Sequence, residues 1–287
     1  MAEPAWTPDF VDGRPVPLRD GIYRALPAPR AREIEPLLAH YRRIRAADGY
    51  RRAGAEYYRS LPYVDRRDPQ SATWRVRQES LGHLRHILGG LGRGRLRILD
   101  LGAGNGWLSH RLAVDGHACA AVDWLDDPED GLGAARHYAA GFTRIQADFD
   151  DLPLTRAQFD VAVFNASLHY SADPGATLCR ARAHLVEGGL LVVMDSPVFR
   201  SDEDGRRMVN AQQAKFQALG GESLRWGVGY LTATGLARAA ADAGVRVRWI
   251  PSHGRPGWAV KRWFAGLRQR RPPARFGLWF GVCQPAS

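Results

Sequence analysis

Residues 98–109 read ILDLGAGNGWLS. A short apolar run suited to a buried strand enters Gly102, Gly104 and Gly106 directly, and a helical pattern begins behind them. Glycine at a strand-to-helix turn accepts backbone angles closed to other residues, and it lets amide groups come close to a ligand at the helix N-terminus. In an open α/β sheet that turn lies beyond the carboxyl ends of the strands, where ligands bind at the reversal of strand order. The segment therefore predicts a crevice that takes an adenosine-like ligand.

Outward from this loop, short β-rich runs alternate with helical ones, the pattern of a parallel sheet covered on both faces. Strands are expected at 96–101, 118–123, 143–147, 160–165 and 190–195, with two more at 245–251 and 276–282. Helices are expected at 106–115 and 175–186, with a looser segment at 131–140. The expected fold is α/β: a doubly wound, seven-stranded sheet with helices on both faces, spanning 93–287 and carrying a helical insertion at about 197–230. In that insertion Ser201 followed by Asp202, Glu203 and Asp204 suits a helix start, because acids in the first turn oppose the helix dipole. That helix should run to Leu219, and another should open near Thr232 or Thr234 and end at Gly244.

Residues 1–92 read as an N-terminal arm and helical cap. Prolines and the lack of any period leave 1–30 without expected regular structure. From Ala31 a stripe of Ile34, Leu37, Leu38, Tyr41 and Ile44 predicts a helix, and another is expected from Ser71 to the break at Gly89 and Gly90.

The 287 residues, 45% hydrophobic and 24% charged, have the make-up of a globular protein. The apolar run GLLVVM at 189–194 is far short of the ~20 residues a membrane helix needs. The opening MAEPAWTPDFVDGRP lacks the basic start and apolar stretch of a secretory signal. Cys119, Cys179 and Cys283 are odd in number and far apart, without zinc or disulfide spacing, so a cytoplasmic location is expected. Asp126, Asp127 and Asp130 are too weak a cluster to call for a metal, and none is expected. Net charge is +10, and the acid-free segment 245–287 carries nine basic residues. Within it GWAVKRWFAGLRQR (257–270) would place Val260, Trp263, Phe264 and Leu267 on one helix face. The plain reading is a docked helix with solvated arginines; the sharper one is contact with nucleic acid or an anionic membrane surface.

A GxGxxG dinucleotide loop would need glycine at 107, where Trp107 stands, and no GxxxxGK[ST] phosphate loop occurs. With DxGxGxG at Asp100, Gly102, Gly104 and Gly106, the chain instead resembles the class I S-adenosylmethionine-dependent methyltransferases of the small-molecule type. The resemblance covers about 93–250, including LVEGGLLVVMD and YLTATGLARAAADAGVRV. It implies a Rossmann-like sheet with S-adenosylmethionine as cofactor, held by Asp100, Gly102, Ala103 and Gly104. In AVDW it implies that Asp123 holds the ribose hydroxyls, as a carboxylate can accept from both hydroxyls of a diol. In QADFDDLPL, Asp148 matches the acid that accepts from the adenine amino group, with Phe149 and Trp124 packing on the adenine; Asp150 and Asp151 compete as loop acids. In FNASLHY, Asn165 would contact the cofactor through its backbone, and by analogy Arg77 or Arg75 would pair with the methionine carboxylate.

His169 is the candidate general base, because a neutral imidazole near pH 7 can take the acceptor's proton; the plainer reading is a hydrogen-bonded loop histidine. Tyr58, Tyr63, Trp74 and Tyr170 are candidates to line the acceptor pocket or to seal the cap onto the sheet. The expected function is methyl transfer to an oxygen or nitrogen of a small-molecule acceptor, with a secondary metabolite in view and a homodimer as the base-rate assembly. The rivals are an RNA or lipid-linked acceptor, a non-catalytic S-adenosylmethionine-binding protein, and an NAD-dependent oxidoreductase.

Overall fold

Asp20 and Gly21 both have positive φ, +53° and +70°, which suits a two-residue turn whose twist matches that of its flanking strands. Leu18–Arg19 (β1) and Ile22–Arg24 (β2) accordingly pair antiparallel, inside an arm for which no regular structure was expected. The computed structural model describes residues 3–13, 15–52, 54–218, 227–254, 257 and 272–284. Helix α1 (Ala28–Ala47) starts ahead of the expected Ala31, because Pro29 fits the first helical turn, where no amide donor is needed. The short α2 (Ala55–Ser60) precedes α3 (Ser71–Gly90), which ends at the double glycine.

The expected alternation follows: β3 (Arg97–Leu101), α4 (Trp107–Val114), β4 (Ala118–Asp123), β5 (Thr143–Gln146), β6 (Phe159–Asn165), α5 (Pro174–Ala183) and β7 (Leu185–Met194). The looser segment is a 3-10 turn over Leu132–His137. The insertion supplies β8 (Val198–Phe199), α6 (Asp202–Ala218) and β9 (Leu231–Thr232), with β8 and β9 pairing apart from the main sheet. Ser201 Oγ accepts from the Asp204 amide at 3.2 Å, so α6 opens where its acids indicated. Thr232 caps α7 (Ala233–Asp242) by accepting from the Gly235 amide at 3.1 Å. Two antiparallel strands, β10 (Arg248–Pro251) and β11 (Gly277–Val282), complete the chain.

Among the described residues the sheet has nine strands, in the order β1-β2-β5-β4-β3-β6-β7-β11-β10. Seven are those expected; the other two are the hairpin, docked on β5 with Tyr23 beside Ile145 and Arg24 beside Gln146. From β2 to β7 the pairing is parallel, and the chain's direction of travel across the sheet reverses between β3 and β6. That switch point opens a crevice at the carboxyl ends.

Alternate strand residues feed two cores. Ile98, Ala121, Val163 and Val192 pack with Trp74, Leu81, Leu84 and Leu112 on one face. Leu99, Val122, Phe164 and Val193 pack with Leu178, Ala181, Leu236 and Ala240 on the other. A third, small cluster joins Ile34 and Leu38 of α1 to Leu125 and Trp124, laying the helix across the strand ends above the crevice. Burying one such aliphatic side chain is worth about 1.5–3 kcal/mol, so α1 is held by apolar contact as well as by charge. The expected tail helix at 257–270, apart from Gly257, and the expected helix end at Leu219 lie outside the described residues. Among the described residues no helix is long and apolar enough to cross a membrane.

Candidate active site

The loop after β3 is built by its own amides. Gly102 and Ala103 both donate to the Val122 carbonyl, at 2.9 and 3.0 Å, which turns the chain sharply at the end of β4. Gly102 has φ +74°, and a Cβ there would lie 2.4 Å from that of Ser167, so neither the angle nor the space admits a side chain. Ser167 stays in place by donating to the Leu101 carbonyl. Gly104, at φ +56°, turns its amide onto Asp123 Oδ2 at 2.7 Å. Asp123 Oδ1 accepts from Leu125 at 2.8 Å, so two backbone donors orient the carboxylate. Burial nevertheless pushes its pKa up to about 6.

These residues floor a cleft of about 810 Å³, counted to its open mouth. Gly102, Ala103, Gly104, Asp123, Trp124, Phe149, Asn165, Tyr170 and Arg77 all line it. Trp124 and Phe149 lie nearly parallel, 9° apart, with ring centroids 6.3 Å from each other. Asn165 is buried, and its Oδ1 has no partner. The Arg77 guanidinium lies 4.6 Å over the Trp74 ring and faces the cleft without a carboxylate partner among the described residues. Arg75 instead donates to Gln78 at 2.7 Å, away from the cleft.

The cap adds walls that no motif indicated. Leu38, Tyr41 and Arg45 of α1 line the cleft, and Tyr41 meets Tyr170 edge to face, with centroids 6.2 Å apart. Arg45 donates from Nε and Nη2 to the two carboxylate oxygens of Asp130, at 2.6 and 2.8 Å. Burial alone would lower the Arg45 pKa, but Tyr41 and Asp130 outweigh it and hold the guanidinium firmly charged. The acids first weighed as a metal cluster are therefore arginine partners: Asp126 pairs with Arg24, Asp127 with Arg51, and Asp130 with Arg45.

Other expected residues stand back from the cleft lining. Asp100 is fully buried, and its Oδ2 accepts from Ser109 at 2.8 Å; burial raises its pKa to about 7. Asp148 binds Arg30, whereas the competing loop acid Asp150 is held by Thr177 and Arg180. Tyr58, expected in the acceptor pocket, is the fully buried residue of α2, stacked on His137 and donating to the Arg52 carbonyl at 2.9 Å. Tyr63 is 48% exposed and accepts from Arg85 at 3.1 Å, so it faces solvent. Trp74 is fully buried, edge-on to Trp107 at 5.8 Å, and it backs the cleft wall without forming it.

His169 lies behind Tyr170, 4.2 Å between ring centroids, with its Nδ1 3.2 Å from Ser196 Oγ. Burial, with Arg77 nearby, lowers its pKa to about 4. The imidazole is a neutral, enclosed support for Tyr170, because, of the 3-10 turn residues Leu168–Tyr170, the tyrosine alone lines the cleft.

A family model described as a methyltransferase domain matches residues 73–248. An uncharacterised methyltransferase of Mycobacterium tuberculosis is 35% identical over 97 residues, 34% of this chain and 49% of that protein. A malonyl-[acyl-carrier protein] O-methyltransferase of Hahella chejuensis is 27% identical over 163 residues, 52% of this chain and 50% of that one. The chain thus spans about half the length of these curated relatives. Among solved structures, the 1,6-didemethyltoxoflavin-N1-methyltransferase of Burkholderia thailandensis, with 1,6-didemethyltoxoflavin and S-adenosylhomocysteine bound, superposes with a TM-score of 0.50 at 20% identity, covering 99% of this chain and 100% of that one.

Proposed function

The chain belongs to the methyltransferase-domain family, and from that premise we propose that it transfers a methyl group from S-adenosylmethionine to an oxygen or nitrogen of a small-molecule acceptor. The observation that carries the reading is the placement of Asp123. Its carboxylate is oriented by the Gly104 and Leu125 amides at the strand switch point and lines the same cleft as the glycine loop. Each carboxylate oxygen retains a lone pair for one hydroxyl of a ribose.

The rest of the cleft fits the same group. The near-parallel Trp124 and Phe149 rings offer an apolar site for a flat base. The Gly102–Gly104 backbone admits close approach, and the unpartnered Asn165 Oδ1 awaits a donor such as the methionine ammonium. Arg77 would pair with the methionine carboxylate.

The bound sulfonium supplies an already activated methyl group. The residues of this chain have three tasks: to align the acceptor, to exclude water and to leave a route for the acceptor's proton. Leu38 and Tyr41 of α1 roof the cleft, and Tyr170 meets Tyr41 across it. Such a roof suits a small acceptor better than a folded RNA. A proton acceptor at the acceptor atom is not assigned to His169, whose ring is behind Tyr170 and of low basicity. The similarity to one enzyme named for an oxygen acceptor and another named for a nitrogen acceptor supports leaving the atom as either.

Calorimetric titration with S-adenosylmethionine, S-adenosylhomocysteine and NAD tests the cofactor. Binding of the first two alone is the expected result; binding of NAD alone would replace the reading with an oxidoreductase. Transfer of label from methyl-labelled cofactor to a panel of small acids, phenols and amines then identifies the acceptor class.

A further inference from the structure

We propose that Arg30 is a latch beside the Trp124–Phe149 end of the cleft, competing with an adenine amino group for Asp148, which stands directly behind that lining. The inference rests on the cofactor reading above together with the Asp148–adenine contact that the family resemblance implies, and adds a regulated step to it. Arg30 Nε and Nη2 both lie 3.0 Å from the same carboxylate oxygen, Asp148 Oδ2. The other oxygen, Oδ1, accepts from the Asp150 amide at 2.9 Å and holds the turn after β5. Three of the roughly four acceptor positions of a carboxylate are therefore filled. The Arg30 Cζ also stands 5.1 Å from the centre of the Trp124 ring, whose neighbour in near-parallel alignment is Phe149.

A guanidinium is flat and presents coplanar N–H donors, and an adenine edge is flat and presents an amino donor. Arg30 thus meets both features that an adenine would use here, the carboxylate and the aromatic face. The two cannot both fill Asp148 Oδ2.

Release needs no movement of the helix. Arg30 lies in the first turn of α1, while the helix is fixed further along by Ile34, Leu38 and the Arg45–Asp130 pair. Glu33 lies 2.9 Å from Arg30 Nη1 with its side chain 67% exposed, and the Arg30 side chain is 35% exposed. A rotation about the arginine side chain can keep the Glu33 pair and surrender Asp148. The latch therefore has a closed arrangement on Asp148 and Glu33, and an open one on Glu33 alone.

The test is calorimetric titration of the full chain with S-adenosylhomocysteine, which has no sulfonium charge to gain from the loss of an arginine. The proteins are wild type, Arg30→Ala and Arg42→Ala. Arg42 sits on the same helix and pairs with Glu35 at 2.9 Å, outside the adenine end, so it reports any general loosening of α1. Release of a partly exposed ion pair should tighten binding about two- to fivefold in Arg30→Ala and leave Arg42→Ala at the wild-type value. Equal or weaker binding by Arg30→Ala would overturn the latch and make Arg30 a roof over the base. An equal gain in both variants would overturn it in favour of a looser helix. Silence of the wild type at millimolar ligand would remove the cofactor reading itself, and the latch with it.

Discussion

Asp123 ends a strand whose partner loop is glycine-rich, and both facts are local, so its place was legible before any contact was known. Its environment was not. Burial raises its pKa to about 6, so the carboxylate takes up a proton as pH falls through that value and loses acceptor capacity. Binding of S-adenosylhomocysteine should therefore weaken below about pH 6 and level off above it. In Asp123→Asn the amide group would face one of the two backbone donors, so affinity should drop by about 1–3 kcal/mol at neutral pH and the acidic limb should flatten. An unchanged titration would remove Asp123 from the site. His169 shows the reverse case: its residue type suggested a base, but tertiary packing enclosed it. Its folded pKa of about 4 lies below the usual 6.5, so its contribution to stability is full above 6.5 and is lost as pH falls toward 4. The stability advantage of wild type over His169→Gln should shrink by on the order of 3 kcal/mol across that window. Comparing the two proteins by denaturant titration cancels the opposing titration of Asp100 and Asp195, whose pKa values burial raises to about 7 and about 6. A difference independent of pH would show that the ring is not held neutral.

Helix α1 was legible as an element from its apolar stripe, yet its role was not. Leu38 and Tyr41 read as packing residues, and they are also cleft wall, because the helix crosses the open end of the sheet. Arg45 was one arginine among many, and Asp130 one acid in a cluster; only folding joins them. The Arg45 side chain is 16% exposed and that of Asp130 2%, so the pair is nearly out of solvent. Arg45→Ala would leave Asp130 as an uncompensated buried charge, a loss of about 3–5 kcal/mol. A melting curve should show a large drop for Arg45→Ala and a smaller one for the Arg45→Met, Asp130→Leu double variant. Equal drops would mean that the pair is screened by solvent. The β1–β2 hairpin was missed for another reason. Strands of two and three residues are too short to establish a period, although the Asp20-Gly21 dipeptide is a turn signal in its own right. Gly21→Val, at φ +70°, should weaken the hairpin by about 1–2 kcal/mol. Amide exchange at Tyr23 and Ile145 would then rise without loss of protection in β3.

Across the whole molecule the parallel core was legible because each strand and helix carries its own period. Connection rules only narrow the strand orders such an alternation can take, and the order itself came from the fold. The N-terminal arm obeys no such rule, since its contacts lie far along the chain. Asp9 exchanges hydrogen bonds with Gln158 at 2.7 and 2.9 Å, the Val11 amide reaches the Pro153 carbonyl at 3.0 Å, and Trp6 packs edge-on to Phe159 at 5.4 Å. The arm then closes the edge of β5 with its hairpin and delivers the chain to α1. Sheet covering and cleft roofing are thus successive parts of one segment. At the opposite edge, β10 carries Arg248 and ends in Pro251, a charge and a missing donor that discourage further pairing. β5 has no proline, and its one charge, Arg144, is buried, so Thr143–Gln146 would present open backbone donors and acceptors if the hairpin left. Removing residues 3–24 should therefore do two things together. It should drive self-association through the bared edge, visible by light scattering, and it should weaken S-adenosylhomocysteine binding as α1 loses its anchor. Self-association with undiminished affinity would show that α1 is held by Ile34, Leu38 and Arg45 alone, and a monodisperse, fully binding product would show that the arm serves neither end.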